Sequence, residues 1–145
     1  MNTQHAPTSP QALALYERML LIRRMEEKLS ADAAAGILPG AVHLYIGQEA
    51  VAAGVCMQLK DTDWITSTHR GHGHFLAKGG DPKGMMAEIW GKKTGICKGM
   101  GGSMHVADVS KGILGANGIV GGGFAIATGA AFGSMLSKDG RATIC

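Results

Sequence analysis

Residues 95–123, GICKGMGGSMHVADVSKGILGANGIVGGG, hold ten of the chain's 23 glycines. Glycine gives up side-chain packing and costs more entropy to order, so such density marks backbone that must bend sharply or lie against something leaving no room for a Cβ. Gly/Ser linkers do not carry Met, Ile, Leu and Val between their glycines as this stretch does. Lys98, Ser103, His105 and Asn117 stand among the glycines. The stretch lies between two segments that read as helix, and a long internal loop of this kind is either functional or disordered.

Downstream, FAIATGAAFGSML (124–136) reads as a helix on which Gly121, Ala125, Gly129 and Gly133, spaced by four, line one face. So small a face lets another backbone approach closely, at a subunit or domain contact or in ordinary core packing. Ser137 to Gly140 turns the chain and Arg141 to Cys145 begins a strand. Upstream, Asp81-Pro82 is a cap and first-turn pair opening a helix through Met85, Met86, Ile89 and Trp90. Lys92, Lys93 and Lys98 add positive potential near the glycines.

Trp64 to Thr68 has the β-branched and aromatic content of a strand, and His69-Arg-Gly-His-Gly-His74 follows as a polar, glycine-containing loop. Loops at strand ends are where α/β proteins place ligand chemistry. Arg70 is the strongest single residue there, a permanently charged planar fork suited to phosphate oxygens; its alternative is a surface ion pair. His69, His72 and His74 raise zinc as a rival, opposed by the glycines and by the absence of a carboxylate or cysteine at a helpful spacing. Ser9-Pro10 starts a long helix to about Ala35, with Leu15, Met19, Ile22, Met25 and Leu29 on one face. A smaller apolar helix spans roughly Gln48 to Leu59, preceded by His43, either a structural or a functional histidine. A phosphate loop is excluded, because six residues separate Gly84 from Gly91-Lys92 and Lys93 follows; the dinucleotide motif fails because Met104 stands where its third glycine belongs.

Residues 1–9 read as a disordered tail and 10–145 as one domain. The 46% hydrophobic and 17% charged content is that of a globular chain. Its 14 basic and 11 acidic residues alternate without a basic stripe, which argues against nucleic acid binding. Cys56, Cys97 and Cys145 form no disulfide or zinc spacing, and no run approaches the ~20 apolar residues of a membrane span, so a cytoplasmic location is expected.

The segments MLLIRRMEEKL, HLYIGQEA, THRGHGH, GMMAEIWGKKTGICKGMGGSMH and GANGIVGGG together carry a resemblance. From about Leu13 to Cys145 the chain resembles the N-terminal part of the alpha subunit of the first component of thiamine-diphosphate-dependent dehydrogenase complexes. Its THRGHGHFLAKG and LGANGIVGGG forms are most similar to the acetoin branch, the pyruvate or branched-chain 2-oxo acid branch being the alternative. The resemblance implies an α/β fold: the N-terminal part of a parallel sheet with helices on both faces, incomplete at the C-terminus. It implies thiamine diphosphate held by His69 and Arg70 at the diphosphate and by Gly118, Ile119 and Val120 at the aminopyrimidine, with His72 and His43 as candidate catalytic histidines. It also implies magnesium whose ligands, beginning with a Gly-Asp-Gly motif, are expected just beyond Cys145, so the chain alone is expected to bind the cofactor weakly. The implied reaction cleaves acetoin to acetaldehyde and an acetyl unit passed to a lipoyl group. Implied partners are a beta subunit completing the active site of a heterotetramer, and a lipoyl-bearing acyltransferase. The rival from another class is a non-catalytic, truncated subunit-contact module.

Overall fold

The structure, a computed structural model, describes residues 8–145. Most of the expected disordered tail therefore lies outside the described residues, and α1 (Ser9–Ala34) begins at once. Its N-cap is Thr8 rather than Ser9; the Thr8 amide and hydroxyl both donate to Gln11 Oε1 at 2.9 Å. Next come α2 (Glu49–Cys56), β1 (Trp64–Thr66), α3 (His72–Ala77), α4 (Pro82–Ile89), β2 (Ile113–Gly115), α5 (Gly122–Ser137) and β3 (Thr143–Ile144). Asp81 caps α4 as its sequence suggests, accepting from the amides of Lys83 and Gly84.

The three strands form one parallel sheet in the order β2-β1-β3. Parallel neighbours need long crossovers; here α3, α4 and the glycine-rich stretch carry β1 to β2, and α5 carries β2 to β3. Strand side chains alternate between faces. Ile65 enters a core built from Ile22 and Leu29 of α1, Phe75 and Leu76 of α3, and Met85 and Ile89 of α4. Thr66 turns the other way, its hydroxyl donating to the Gly123 carbonyl at the start of α5. Helices thus cover both faces, as expected for the α/β class.

Two expectations need correction. His72 and His74 do not lie in a loop: α3 starts at His72, and Gly73 lets it do so, because a Cβ there would collide with the buried Tyr45 ring. The glycine-rich stretch is not merely a connection between helices, since it contains β2. Lacking a β-branched run, β2 owes its existence to tertiary pairing, with Ile65 N–H donating to the Gly112 carbonyl and Ser67 N–H to that of Gly115. Gly112 itself has φ +73°, and a Cβ there would strike the Asp63 carbonyl oxygen. Because backbone cannot swing away as a side chain can, Gly112→Ala is expected to destabilise the protein by about 1–3 kcal/mol, read as a lowered denaturation midpoint.

Packing of α5 onto the sheet uses Gly123, Ala127 and Ser134. The stripe of Gly121, Ala125, Gly129 and Gly133 faces outward, which removes core packing within this chain as its explanation. Phe124, Ile126, Phe132, Met135 and Leu136 are exposed with it. No helix among the described residues is long and apolar enough to cross a membrane.

Candidate functional site

Pairing of β1 with β2 decides where the candidate residues go. The register sets Thr66 beside Gly115, so the two loops leaving the C-terminal ends of these strands run side by side. One carries His69 and Arg70, the other Gly118, Ile119 and Val120. Their closeness is visible at Gly71, where a Cβ would collide with that of Ala116. A third segment joins them: Arg70 Nη1 donates to the Leu44 carbonyl at 2.5 Å. Beside Leu44, the ring of His43 stands edge-on to that of His69 with centroids 5.0 Å apart.

This cluster has unused polar capacity. The Nδ1 atoms of His43 and His69 are both buried without a hydrogen-bond partner. Arg70 forms no ion pair among the described residues, in contrast to Arg23, Arg24 and Arg141. Buried polar atoms in native proteins are nearly all satisfied, so an unneutralised guanidinium beside two orphaned imidazole nitrogens fits a site for an anionic, oxygen-rich group. On the second loop, Asn117 Oδ1 accepts the Ile119 amide at 2.8 Å, while the Ile119 and Val120 side chains stand 74% and 78% exposed. Near these loops a cavity of about 300 Å³, lined by Val51, Val55, Ile65, His74, Ile119 and Phe124 among others, opens at the ends of β1 and β3.

His72 is placed differently from His43, His69 and Arg70. It is fully buried, with Nδ1 2.8 Å from Glu26 Oε1 and Nε2 within 2.9 Å of the Ser103 hydroxyl and 3.1 Å of the Ser103 carbonyl. His74 also has both nitrogens engaged, by the Ser67 hydroxyl at 2.7 Å and the Tyr45 hydroxyl at 3.1 Å. Burial pushes the Tyr45 phenol up to about 12 and lowers the His74 imidazole, so the pair rests as neutral phenol and neutral imidazole. The zinc alternative fails on these contacts, because neither His72 nor His74 has a nitrogen free to bind metal.

Three buried polar side chains that organise the chain around the site escaped the sequence reading. Glu26 accepts the Tyr45 amide at 2.8 Å in addition to holding His72. Glu88 gathers the glycine-rich loop: Oε2 accepts the amides of Cys97 and Gly99, each at 2.8 Å, and Oε1 those of Gly101 at 2.6 Å and Gly102 at 3.1 Å. Burial acts to raise the Glu88 carboxyl, but the four amides outweigh it and hold the group below its ordinary value. Lys78 donates to the carbonyls of Lys60, Asp61 and Lys111. For Glu26 the signal was available, since it lies four residues after Ile22 and three before Leu29, within the apolar stripe of α1.

The dehydrogenase E1 component family model matches residues 17–145. The chain is 59% identical over 138 residues to the alpha subunit of acetoin:2,6-dichlorophenolindophenol oxidoreductase from Bacillus subtilis, covering 95% of this chain and 41% of that protein. With the subunit of the same name from Cupriavidus necator it is 52% identical, over 91% of this chain and 40% of that one. A pyruvate dehydrogenase E1 component subunit alpha from Rhizobium meliloti is 46% identical over 91% of this chain and 38% of its own length. The chain thus spans about two fifths of the length of these relatives. Because the match runs from Glu17 through all three strands and both loops of the cluster, the chain belongs to the dehydrogenase E1 component family.

Proposed function

We propose that this chain forms the N-terminal portion of the alpha subunit of a thiamine-diphosphate-dependent dehydrogenase that cleaves acetoin to acetaldehyde and an acetyl unit delivered to a lipoyl group. The observation that carries the reading is the convergence of Arg70 with the orphaned nitrogens of His43 and His69 beside the second loop. When bound, thiamine diphosphate supplies the nucleophilic carbon and the electron sink for breaking a bond next to a carbonyl. This chain's residues bind and orient it. Arg70 and His69 would hold the diphosphate, and the backbone of Gly118 and Ile119 would contact the aminopyrimidine. Val120 would give apolar support to the bound cofactor. His43 is the histidine available to exchange a proton in the site, whereas His72, with both nitrogens engaged, serves as a positioning residue. Magnesium is the proposed counter-ion of the diphosphate, with no ligand assigned among these residues.

Acetoin is favoured over pyruvate by the higher identity to the two acetoin-named subunits. A beta subunit is the proposed partner for the exposed apolar residues of α5, and a lipoyl-bearing acyltransferase the acceptor of the acetyl unit. The free thiols of Cys56, Cys97 and Cys145 accord with a cytoplasmic location. The test is Arg70→Ala in the complete alpha–beta enzyme, followed by calorimetry with thiamine diphosphate and magnesium. Loss of a charged hydrogen bond is expected to weaken cofactor binding by about 1.5–3 kcal/mol, and unchanged affinity overturns the placement of Arg70. Turnover of acetoin well above that of pyruvate by the wild-type enzyme is expected; the reverse assigns it to the pyruvate branch.

A further inference from the structure

Glu26 has no exposed surface and lies on α1, away from both cofactor loops in sequence, yet its two oxygens serve two different segments of the proposed site. Oε2 accepts the amide of Tyr45, one residue past the Leu44 carbonyl that receives the Arg70 guanidinium and two past His43. Oε1 holds Nδ1 of His72, two residues past Arg70 at the start of α3. Filling space between α1 and α3 does not require a carboxylate, since an apolar side chain of similar volume commonly does so at no loss of stability. What the carboxylate adds is a pair of strong, directed charged hydrogen bonds: one group, held by helix α1, sets the separation of the segment carrying His43 from the segment carrying His69 and Arg70.

We infer that Glu26 is a positioning residue of the diphosphate site, acting through the Leu44–Arg70 contact to hold the guanidinium where it meets the cofactor. This rests on the reading above that Arg70 binds the diphosphate. Side chains that orient metal ligands without touching the ion typically change affinity by about 10- to 100-fold when altered, and Glu26 stands in the same relation to Arg70. The Ser103 contacts at the far side of the ring keep His72 from following a displaced Glu26 freely, so a change at Glu26 is passed to the loops.

The test is Glu26→Gln in the complete alpha–beta enzyme, with the thiamine diphosphate Kd measured by calorimetry in the presence of magnesium. Glutamine can still accept the Tyr45 amide, and its NH2 group can donate to His72 Nδ1. The ring proton then moves to Nε2, where the Ser103 carbonyl accepts it, so the fold is retained while two charged hydrogen bonds become weaker neutral ones and the hold on both segments loosens. The Kd is expected to rise about tenfold. Acting through Arg70, the change is expected to add less than about threefold in an Arg70→Ala background, a non-additivity that a general loss of stability would not produce. If Arg70→Ala weakens binding while Glu26→Gln leaves it unchanged, or if the two penalties simply add, the role of Glu26 is overturned and the site stands. If Arg70→Ala itself has no effect, the site reading fails, and this inference with it. Should Glu26→Gln not assemble, Glu26→Asp, which keeps the charge but is too short to reach both segments, is expected to raise the Kd in the same way; an unchanged Kd there overturns the proposal.

Discussion

Glu88→Gln is expected to destabilise the protein by about 2–5 kcal/mol, from two buried backbone amides left facing a donor at about 1–3 kcal/mol each. The wild-type carboxylate accepts four backbone amides, two on each oxygen. A carboxamide keeps one accepting oxygen and turns an NH2 group towards the other two amides, so donors face donors. Nothing else compensates, because the loop has been bent around the carboxylate: Lys98, a non-glycine residue, is held at φ +60°, with Gly99 at +79° and Gly102 at +61°. Successive amides pointing inward are the arrangement that elsewhere binds anions, and here the anion is the chain's own side chain. Chemical denaturation of wild type and variant provides the measurement, and a loss below about 1 kcal/mol would mean that the carboxylate is not what organises the loop.

The same group sets a pH dependence. Its folded-state carboxyl titrates below the ordinary value of 4.5, so the folded protein releases this proton more readily than the unfolded chain. The resulting stabilisation is fully present above about pH 4.5 and is lost as pH falls through the lower folded value. Asp63, held down by the amides of Ala142 and Lys60, and Glu49, held down by the Arg23 guanidinium, act in the same direction. Stability is therefore expected to fall steeply below about pH 4.5, with a shallower fall in Glu88→Gln; equal slopes in a denaturation series across pH 3–6 would remove Glu88 from the explanation.

Lys78→Met should cost about 2–4 kcal/mol, from three charged hydrogen bonds partly offset by no longer burying an ammonium. The Lys78 side chain is buried, and Nζ reaches the Lys60 carbonyl at 2.8 Å, that of Asp61 at 3.2 Å and that of Lys111 at 2.9 Å. These carbonyls belong to the turns that lead into β1 and β2, so one ammonium ties together the starts of two strands distant in sequence. The loss is expected to be local first. Hydrogen exchange should quicken at the amides of Ile65 and Ser67, which bond to the Gly112 and Gly115 carbonyls, before it quickens in α1. Lys78→Arg is not expected to restore protection, because a planar guanidinium cannot match three converging carbonyls as a tetrahedral ammonium does. Unchanged exchange at Ile65 and Ser67 in Lys78→Met would show that pairing of β1 with β2 does not depend on this contact.

Where a rule is local, the residues themselves were enough. The periodic apolar residues of α1, the Asp81-Pro82 start of α4 and the β-branched run of β1 each form as their sequence predicts, because capping, helical spacing and strand propensity act within a few residues. Arg70 could also be picked out as a phosphate-binding candidate from its charge and its place after a strand. Other features depended on parts of the chain far apart in sequence. β2 has no pattern of its own and exists because Ile113 and Gly115 pair with β1. His72 and His74 read as loop residues until a buried Tyr45 ring beside Gly73 showed why a helix starts there. By itself, then, the sequence determined α1, α2, α4 and α5 and the arginine of the candidate site, for which near neighbours suffice, while the parallel α/β class followed from the family resemblance and α3 was missed. Only the tertiary structure decided that His43, His69 and Arg70 stand together, that His72 is held away from the open site, that Glu26 links two segments of that site, and that Glu88 holds the glycine-rich loop and Lys78 the turns that lead into β1 and β2. A buried charge is defined by the distant groups that satisfy it, and Tyr45, Ser103, the glycine-loop amides and the turn carbonyls come together only when the chain is folded.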